Sequence, residues 1–109
     1  RLLLEASAAV NQAAEDGTTP LFMACQHGHV EIARLLLKAS AAIDQADTRG
    51  ITPLYIACLQ DHVEIARLLL EFSAAADQAA ENGTTPLYTA CHNGHLKIAR
   101  LLLEASAAV

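Results

Sequence analysis

The chain has 109 residues, with 12 acidic and 7 basic side chains and a formal charge of −5. This length suits one modest domain, and the acidic balance argues against a nucleic-acid-binding surface, which needs clustered Lys and Arg. Ala (23) and Leu (17) supply most of the 53% hydrophobic residues, and Trp is absent, which favours thin, closely packed helices. Uncharged runs such as 39–43 and 72–76 are far shorter than the ~18 apolar residues of a membrane span, so we expect no membrane insertion.

A period of 33 residues runs through the chain and governs the interpretation of every single residue. The tripeptide Thr-Pro-Leu begins at Thr19, Thr52 and Thr85, and a Cys and a His recur at the same offset. Residues 1–10 and 100–109 are identical. The register therefore predicts one repeat domain over residues 1–109, taken as an excerpt of a longer array. Its predicted divisions are 1–15, 16–48, 49–81 and 82–109.

Each repeat is predicted to contain two short helices. The recurring Thr is a favoured N-cap residue, and the Pro after it suits the first helical position, whose N–H has no intrahelical partner. Gly28 and Gly94 then allow a left-handed end to the first helix. The second helix is predicted over residues 30–38, with the apolar stripe Ile32, Ala33, Leu35, Leu36 and Leu37. A tight hairpin turn is predicted before each Thr-Pro, at Gly17, Gly50 and Gly83.

The three Thr-Pro segments read TPLFMACQHGH from Thr19, TPLYIACLQDH from Thr52 and TPLYTACHNGH from Thr85. They resemble ankyrin repeats, whose period is 33 and whose signature is T-P-L-H-x-A followed by G-H and L-L-L. The resemblance covers the whole chain. It implies an all-α repeat solenoid, in which ankyrin-like helix-turn-helix units stack and are joined by β-hairpin or turn loops. It also implies a non-catalytic scaffold that binds other proteins.

Three departures from the ankyrin pattern affect specific expectations. The His of T-P-L-H is replaced, so the imidazole that would tie neighbouring turns is missing; the replacements are Phe22, Tyr55 and Tyr88. Ser stands where a Gly usually follows the second helix, at Ser7, Ser40, Ser73 and Ser106. A left-handed Ser costs about 1 kcal/mol more than Gly, unless the helix ends differently. Asp61 replaces the Gly between the two helices of the middle repeat.

Packing explains the Cys and His residues better than a role as metal ligands or catalytic groups does. Cys25, Cys58 and Cys91 each follow an Ala in the first helix, where a small apolar side chain packs between neighbouring helices. The recurring His29, His62 and His95 are expected to bond to backbone, whereas His27 and His92 are expected to face solvent. Most polar residues recur in copies and no phosphate-binding glycine motif is present. We therefore expect no enzyme activity, no metal site and no cofactor.

Positions that vary between repeats are the candidates for binding a protein partner, since recurring positions hold the stack together. Two sets flank the hairpin glycines and the ends of the first helices, which in ankyrin-like structures line the concave face. They comprise Glu15, Asp16, Thr18, Gln26, His27, Thr48, Arg49, Ile51, Leu59, Gln60, Glu81, Asn82, Thr84, His92 and Asn93. We expect the partner to present an apolar side chain to Ile51 and Leu59 and a cation to Glu15 and Asp16.

The sequence leaves two alternatives to this binding function. The repeats could form a structural spacer, one segment of a longer ankyrin array fixed inside a large multi-subunit assembly, because solenoids need capping repeats that this chain lacks. An engineered uniform array is disfavoured by the irregular Asp61, Phe72 and Ala76. Three Cys without an evident disulfide partner predict a reducing, intracellular location, taken as the cytoplasm.

Overall fold

The computed structural model describes residues 9–107, which form a stack of helical pairs. The helices are α1 (Pro20–His27), α2 (Val30–Lys38), α3 (Pro53–Leu59), α4 (Val63–Glu71), α5 (Pro86–His92) and α6 (Leu96–Ala107). In the described residues the connections between pairs are turns rather than strands. The first helices α1, α3 and α5 pack side by side, and so do the second helices α2, α4 and α6. The predicted all-α repeat solenoid is confirmed.

The first helices begin as the Thr-Pro pattern predicts. The hydroxyls of Thr19, Thr52 and Thr85 each accept a hydrogen bond at 3.1 Å from the backbone N–H three residues later. In each case the following Pro occupies the first helical position. The cap therefore satisfies one N–H that the helix itself leaves unpaired.

Helix ends use left-handed backbone at Gly and also at non-Gly positions. Asp61 has φ of 60°, and Ser40 and Ser73 both have φ of 69°, so these two serines carry the strain that the sequence suggested. Ser106 behaves differently, because α6 continues through it to Ala107. Ser7 lies outside the described residues.

The core lies between neighbouring repeats and is densest around the middle one. Leu54, Ile65 and Leu69 are fully buried, as are Cys25 and Cys58. The middle repeat has a described neighbour on each side, so both faces of its helices are covered. Leu and Ala side chains thus bury one another across the repeat boundaries, as nearest-neighbour stabilisation requires.

The predicted apolar stripe of α2 is only partly buried. Ala33 and Leu37 are buried, but Ile32 and Leu35 are 51% and 67% exposed. Their counterparts in α4, Ile65 and Leu68, are buried against the described first repeat. The amphipathic pattern therefore marks which residues can be buried, while the neighbouring repeat determines whether they are.

Side-chain hydrogen bonds also cross each repeat boundary. His62 Nε2 donates to the carbonyl oxygen of Gln26 at 3.0 Å, and His95 Nδ1 donates to that of Cys58 at 2.9 Å. His62 and His95 therefore bond to backbone as predicted, and specifically to the backbone of the preceding repeat, whereas His29 makes no such bond among residues 9–107. A second set of hydrogen bonds also joins the repeats: Ala42 N donates to the side-chain oxygen Oδ1 of Asn11, and Ala75 N donates to Oδ1 of Asp44.

Candidate partner-binding surface

The hairpin turns form a ladder along one edge of the stack. Thr48 N donates to the carbonyl of Asp16, and Glu81 N donates to that of Arg49, each at 3.0 Å. A Cβ added to Gly50 would lie 2.8 Å from Glu81 N, so this glycine is required by the close approach of the next turn as well as by its φ of 80°. The turns are consequently held at a fixed spacing, and so are the exposed side chains on them.

The outer two hairpins share one local arrangement. Asp16 Oδ1 accepts from Thr18 N at 3.1 Å and from Thr18 Oγ1 at 2.8 Å. Asn82 Oδ1 accepts in the same way from Thr84 N and Thr84 Oγ1. The hydrogen bonds from Thr18 hold the pKa of Asp16 below its usual value. Asp16 is therefore an exposed, ionised carboxylate with a fixed orientation.

The middle hairpin replaces this arrangement with an ion pair. Asp47 Oδ2 accepts from Arg49 Nη2 at 2.7 Å and from Arg49 Nε at 3.1 Å, while Oδ1 accepts from the N–H groups of Arg49 and Ile51. Burial would raise the pKa of Asp47, but the hydrogen bonds from Arg49 and Ile51 outweigh it and lower that pKa. Arg49 stays exposed, yet its charge is largely matched by Asp47.

Asp47 is a residue that the sequence analysis missed. Its counterparts are Ala14 and Ala80, so it also varies between repeats. The Asp-x-Arg spacing of Asp47 and Arg49 was the available signal, because an Asp two residues before its donor is typical of a side-chain-stabilised turn.

The hydroxyl of Tyr55 makes a hydrogen bond between neighbouring repeats, although the imidazole expected to do so is missing. Its hydroxyl lies 2.7 Å from Thr84 Oγ1. Thr84 Oγ1 itself donates to Asn82 Oδ1, so Tyr55 is the donor to Thr84. The phenol therefore links the second repeat to the third hairpin in place of the imidazole.

Ile51 is the one predicted contact residue that the structure buries. It is 9% exposed and belongs to the same core cluster as Phe22, which is 1% exposed. Relative to Phe22, Ile51 holds the position that Thr84 holds relative to Tyr55. An apolar pair thus replaces a hydroxyl pair, and this packing accounts for the apolar residue at position 51.

The other predicted residues remain at the surface. We call them the variable surface; it comprises Glu15, Asp16, Thr18, Gln26, His27, Thr48, Arg49, Leu59, Gln60, Glu81, Asn82, Thr84, His92 and Asn93, all exposed or half-buried. Leu59 is its apolar member and is 38% exposed. His27 and His92 are exposed, as predicted, and His92 stacks on Tyr88 with 6.0 Å between ring centroids.

The hairpin part of the variable surface is acidic. Glu15, Asp16 and Glu81 are all exposed, and the structure shows no ion pair to any of the three among residues 9–107. Arg49 offsets them only in part, because its guanidinium is paired with Asp47 at 2.7 Å; after the Thr18 hydrogen bonds, its charge also helps to lower the pKa of Asp16. The ladder therefore presents a negative edge beside the first helices.

The thiols do not form a common site. Cys25 and Cys58 are buried and free, and burial raises the pKa of each to about 12. Cys91 was expected to be packed like the other two but is exposed, since no described repeat lies beyond α5. Within residues 9–107, no group of three or more His, Cys, Asp or Glu side chains is placed to hold a metal ion.

None of the described helices has the length and apolar character needed to cross a membrane. Comparison with curated proteins returned no match. Family models do match: "Ankyrin repeat" over residues 16–48 and "Ankyrin repeats (3 copies)" over residues 39–109. Ankyrin repeats are generally protein–protein interaction modules, and the proteins that carry them are typically non-catalytic. The repeat register, the Thr-Pro caps and these matches agree, and the chain belongs to the ankyrin repeat family.

Proposed function

We propose that this chain is a non-catalytic module that binds a protein partner through the variable surface. One observation carries the proposal: the hydrogen-bonded hairpin ladder holds the exposed side chains of Asp16, Arg49 and Glu81, which differ from repeat to repeat, along one edge of the stack. Binding energy at such surfaces comes from a few apolar or charged anchors within a polar rim. The variable surface supplies both kinds of group.

The chemistry of this surface favours a basic partner segment. Glu15, Asp16 and Glu81 form the acidic edge, and Leu59 supplies exposed apolar area at the C-terminal end of α3. A Lys or Arg of the partner would pair with the carboxylates, and an apolar side chain would pack on Leu59. Complementary charge accelerates association and selects among partners. Three unpaired Cys further support a partner that is met in a reducing compartment.

Site-specific photo-cross-linking tests the proposed location. A photoreactive amino acid at position 60, on the variable surface, is compared with one at position 31, on the exposed side of α2. We expect a cross-linked partner from position 60 and little from position 31. Cross-links confined to position 31 would contradict the proposal and favour the structural spacer.

Charge reversal then tests the chemistry on the captured partner. The double variant Glu15→Lys and Asp16→Lys should weaken binding by more than about tenfold at low salt, because like charges then oppose. The double variant Glu71→Lys and Glu104→Lys makes the same change in charge on the exposed sides of α4 and α6 and serves as the matched control. Equal losses in both would show only a general charge effect and would refute recognition by the acidic edge.

A further inference from the structure

The chain contains two Asn-Gly dipeptides. Asn82 and Gly83 lie in the third hairpin, and Asn93 and Gly94 follow the end of α5. Both asparagine side chains are exposed. In an Asn-Gly dipeptide the side-chain amide is open to attack by the next backbone nitrogen, because Gly has no Cβ to hinder the approach. The two dipeptides are the same in sequence, but the structure holds their amide groups in opposite ways.

The oxygen of the Asn82 amide is held by hydrogen-bond donors. Its Oδ1 accepts from Thr84 N at 3.1 Å and from Thr84 Oγ1 at 2.7 Å, whereas its Nδ2 makes no hydrogen bond among residues 9–107. Two donors on one carbonyl oxygen stabilise the negative charge that develops there when a nucleophile adds to the carbon. The amide of Asn82 is therefore activated for attack, and nothing in the described part of the chain retains its NH₂ group.

The nitrogen of the Asn93 amide is held instead. Its Nδ2 donates to the carbonyl oxygen of Thr89 at 2.8 Å and to Thr89 Oγ1 at 3.3 Å. Its Oδ1 accepts no hydrogen bond within residues 9–107, so no donor there stabilises charge on the oxygen. Loss of the nitrogen would also break both bonds to Thr89. The amide of Asn93 is therefore protected.

From this contrast we propose that Asn82 is a site of spontaneous deamidation, while Asn93 is protected by the fold. The Gly83 backbone nitrogen forms a bond to Cγ of Asn82 and loses its proton, and the bond from Cγ to Nδ2 breaks with release of ammonia. Water then opens the cyclic imide and leaves an aspartate or an isoaspartate at position 82. A water molecule is consumed, and the reaction needs no oxidant, reductant or enzyme.

The attacking nitrogens do not favour Asn82. Gly83 N donates to the Ala80 carbonyl at 2.9 Å, and Gly94 N donates to the Cys91 carbonyl at 3.2 Å. Both bonds must open before attack, so the fold slows the reaction at each site. The bond at Gly83 is the shorter one, but this difference counts for less than a donor to the developing oxyanion, which changes a rate by about a hundredfold or more.

The first hairpin shows that the aspartate product fits the third hairpin. The two read DGTT from Asp16 and NGTT from Asn82. Asp16 Oδ1 accepts from Thr18 N at 3.1 Å and from Thr18 Oγ1 at 2.8 Å, as Asn82 does from Thr84. The Thr18 bonds hold the pKa of Asp16 below its usual value. Deamidation to aspartate would therefore make the third hairpin a copy of the first and place a further negative charge beside Glu81.

The exposure of position 82 does not depend on its place in the last described repeat. Asp16 holds the same position in the first hairpin and stays exposed, although the second hairpin bonds to its carbonyl through Thr48 N. The hydrogen bonds that distinguish Asn82 from Asn93 also lie within the third repeat. The difference between the two sites is therefore a property of the repeat itself.

Peptide mapping by mass spectrometry tests the proposal on the full chain, incubated at mildly alkaline pH. In the folded chain we expect Asn82 to be converted more than about tenfold faster than Asn93. In guanidinium chloride the hydrogen bonds are lost, and the ratio of the two rates should fall to near one. Equal rates in the folded chain, a faster Asn93 or an intact Asn82 would overturn the proposal. So would a tenfold preference that persists in denaturant, because flanking sequence would then be its cause.

Two variants test whether the hairpin accepts the product. Asn82→Asp should leave the urea midpoint of unfolding unchanged, because Asp16 already carries a carboxylate in this arrangement. Asn93→Asp is the matched control and should lower the midpoint, because a carboxylate cannot donate to Thr89 and a negative charge is unfavourable at the end of α5. An equal fall in both variants would overturn the fit of the product.

Discussion

Identical residues in the same register differ in burial between the first and middle repeats. Ile65 is fully buried and Ile32 is 51% exposed; Leu68 is 3% exposed and Leu35 is 67% exposed. The two helices have the same length and the same sequence except at the last residue, which is Lys38 in α2 and Glu71 in α4. What differs is the described repeat on the N-terminal side, which covers α4. In this protein the stabilising contacts thus belong to boundaries between repeats rather than to single repeats.

Thiol reactivity should show the largest difference between inner and outer positions. Cys25 and Cys58 are buried with pKa values of about 12, so at about pH 8 only about one in 10⁴ of such thiols is ionised. We expect a disulfide reagent to modify Cys91 within minutes and the other two only after denaturation. Peptide mapping of the labelled native chain identifies the modified residue. Rapid native labelling of Cys58 would mean that the middle boundary opens readily.

Truncation of the equivalent isoleucines should lower the free energy of unfolding more in the middle repeat than in the first repeat. Ile65→Ala should lower the free energy of unfolding by about 2–5 kcal/mol, because it leaves a cavity in the core. Ile32→Ala removes the same atoms from a half-exposed site and should cost much less, within about 1 kcal/mol. Urea titrations followed by circular dichroism measure both. Equal losses would show that Ile32 is covered in solution.

Alanine substitutions at two hairpin glycines should differ by less in their effect on stability, and for a purely steric reason. Gly50 and Gly83 have φ of 80° and 86°, so an Ala at either position carries similar backbone strain. Only at Gly50 would the new Cβ approach a neighbouring backbone atom, at 2.8 Å from Glu81 N. Gly50→Ala should therefore be more destabilising than Gly83→Ala by about 1–3 kcal/mol, as judged from urea titrations. A difference near zero would indicate that the hairpin ladder is loose.

The two tyrosines should show the smallest difference. Tyr55→Phe removes the hydroxyl that bonds to Thr84 at 2.7 Å and should lower stability by about 1 kcal/mol. Tyr88→Phe removes an exposed hydroxyl and should leave the unfolding midpoint of the monomer unchanged. The measurement is thermal or urea unfolding at a low protein concentration. A larger loss at Tyr88 would indicate that its hydroxyl is engaged even in a single chain.

Elements encoded by short segments were predictable. The Thr-Pro caps and the bounds of α2 were correct because N-capping and helix amphipathicity depend on residues within one or two turns. The 33-residue period also separated recurring from varying positions, and all of the candidate contact residues except Ile51 are exposed or half-buried; their role in partner binding stays a prediction. The roles of Ile51 and Asp47 could not be predicted from the sequence. The burial of Ile51 depends on Phe22 in the preceding repeat, and the role of Asp47 depends on the side-chain geometry of the middle hairpin.

The sequence by itself determined the period, the helices, the left-handed glycines and the family of this protein, because each depends on local backbone preferences repeated in register. The tertiary structure decided which apolar residues are buried, that Tyr55 replaces the missing imidazole, and that Cys91 is exposed while Cys25 and Cys58 are buried. Those properties depend on which repeat lies next to which, and burial or hydrogen bonding across a boundary requires atoms from both sides.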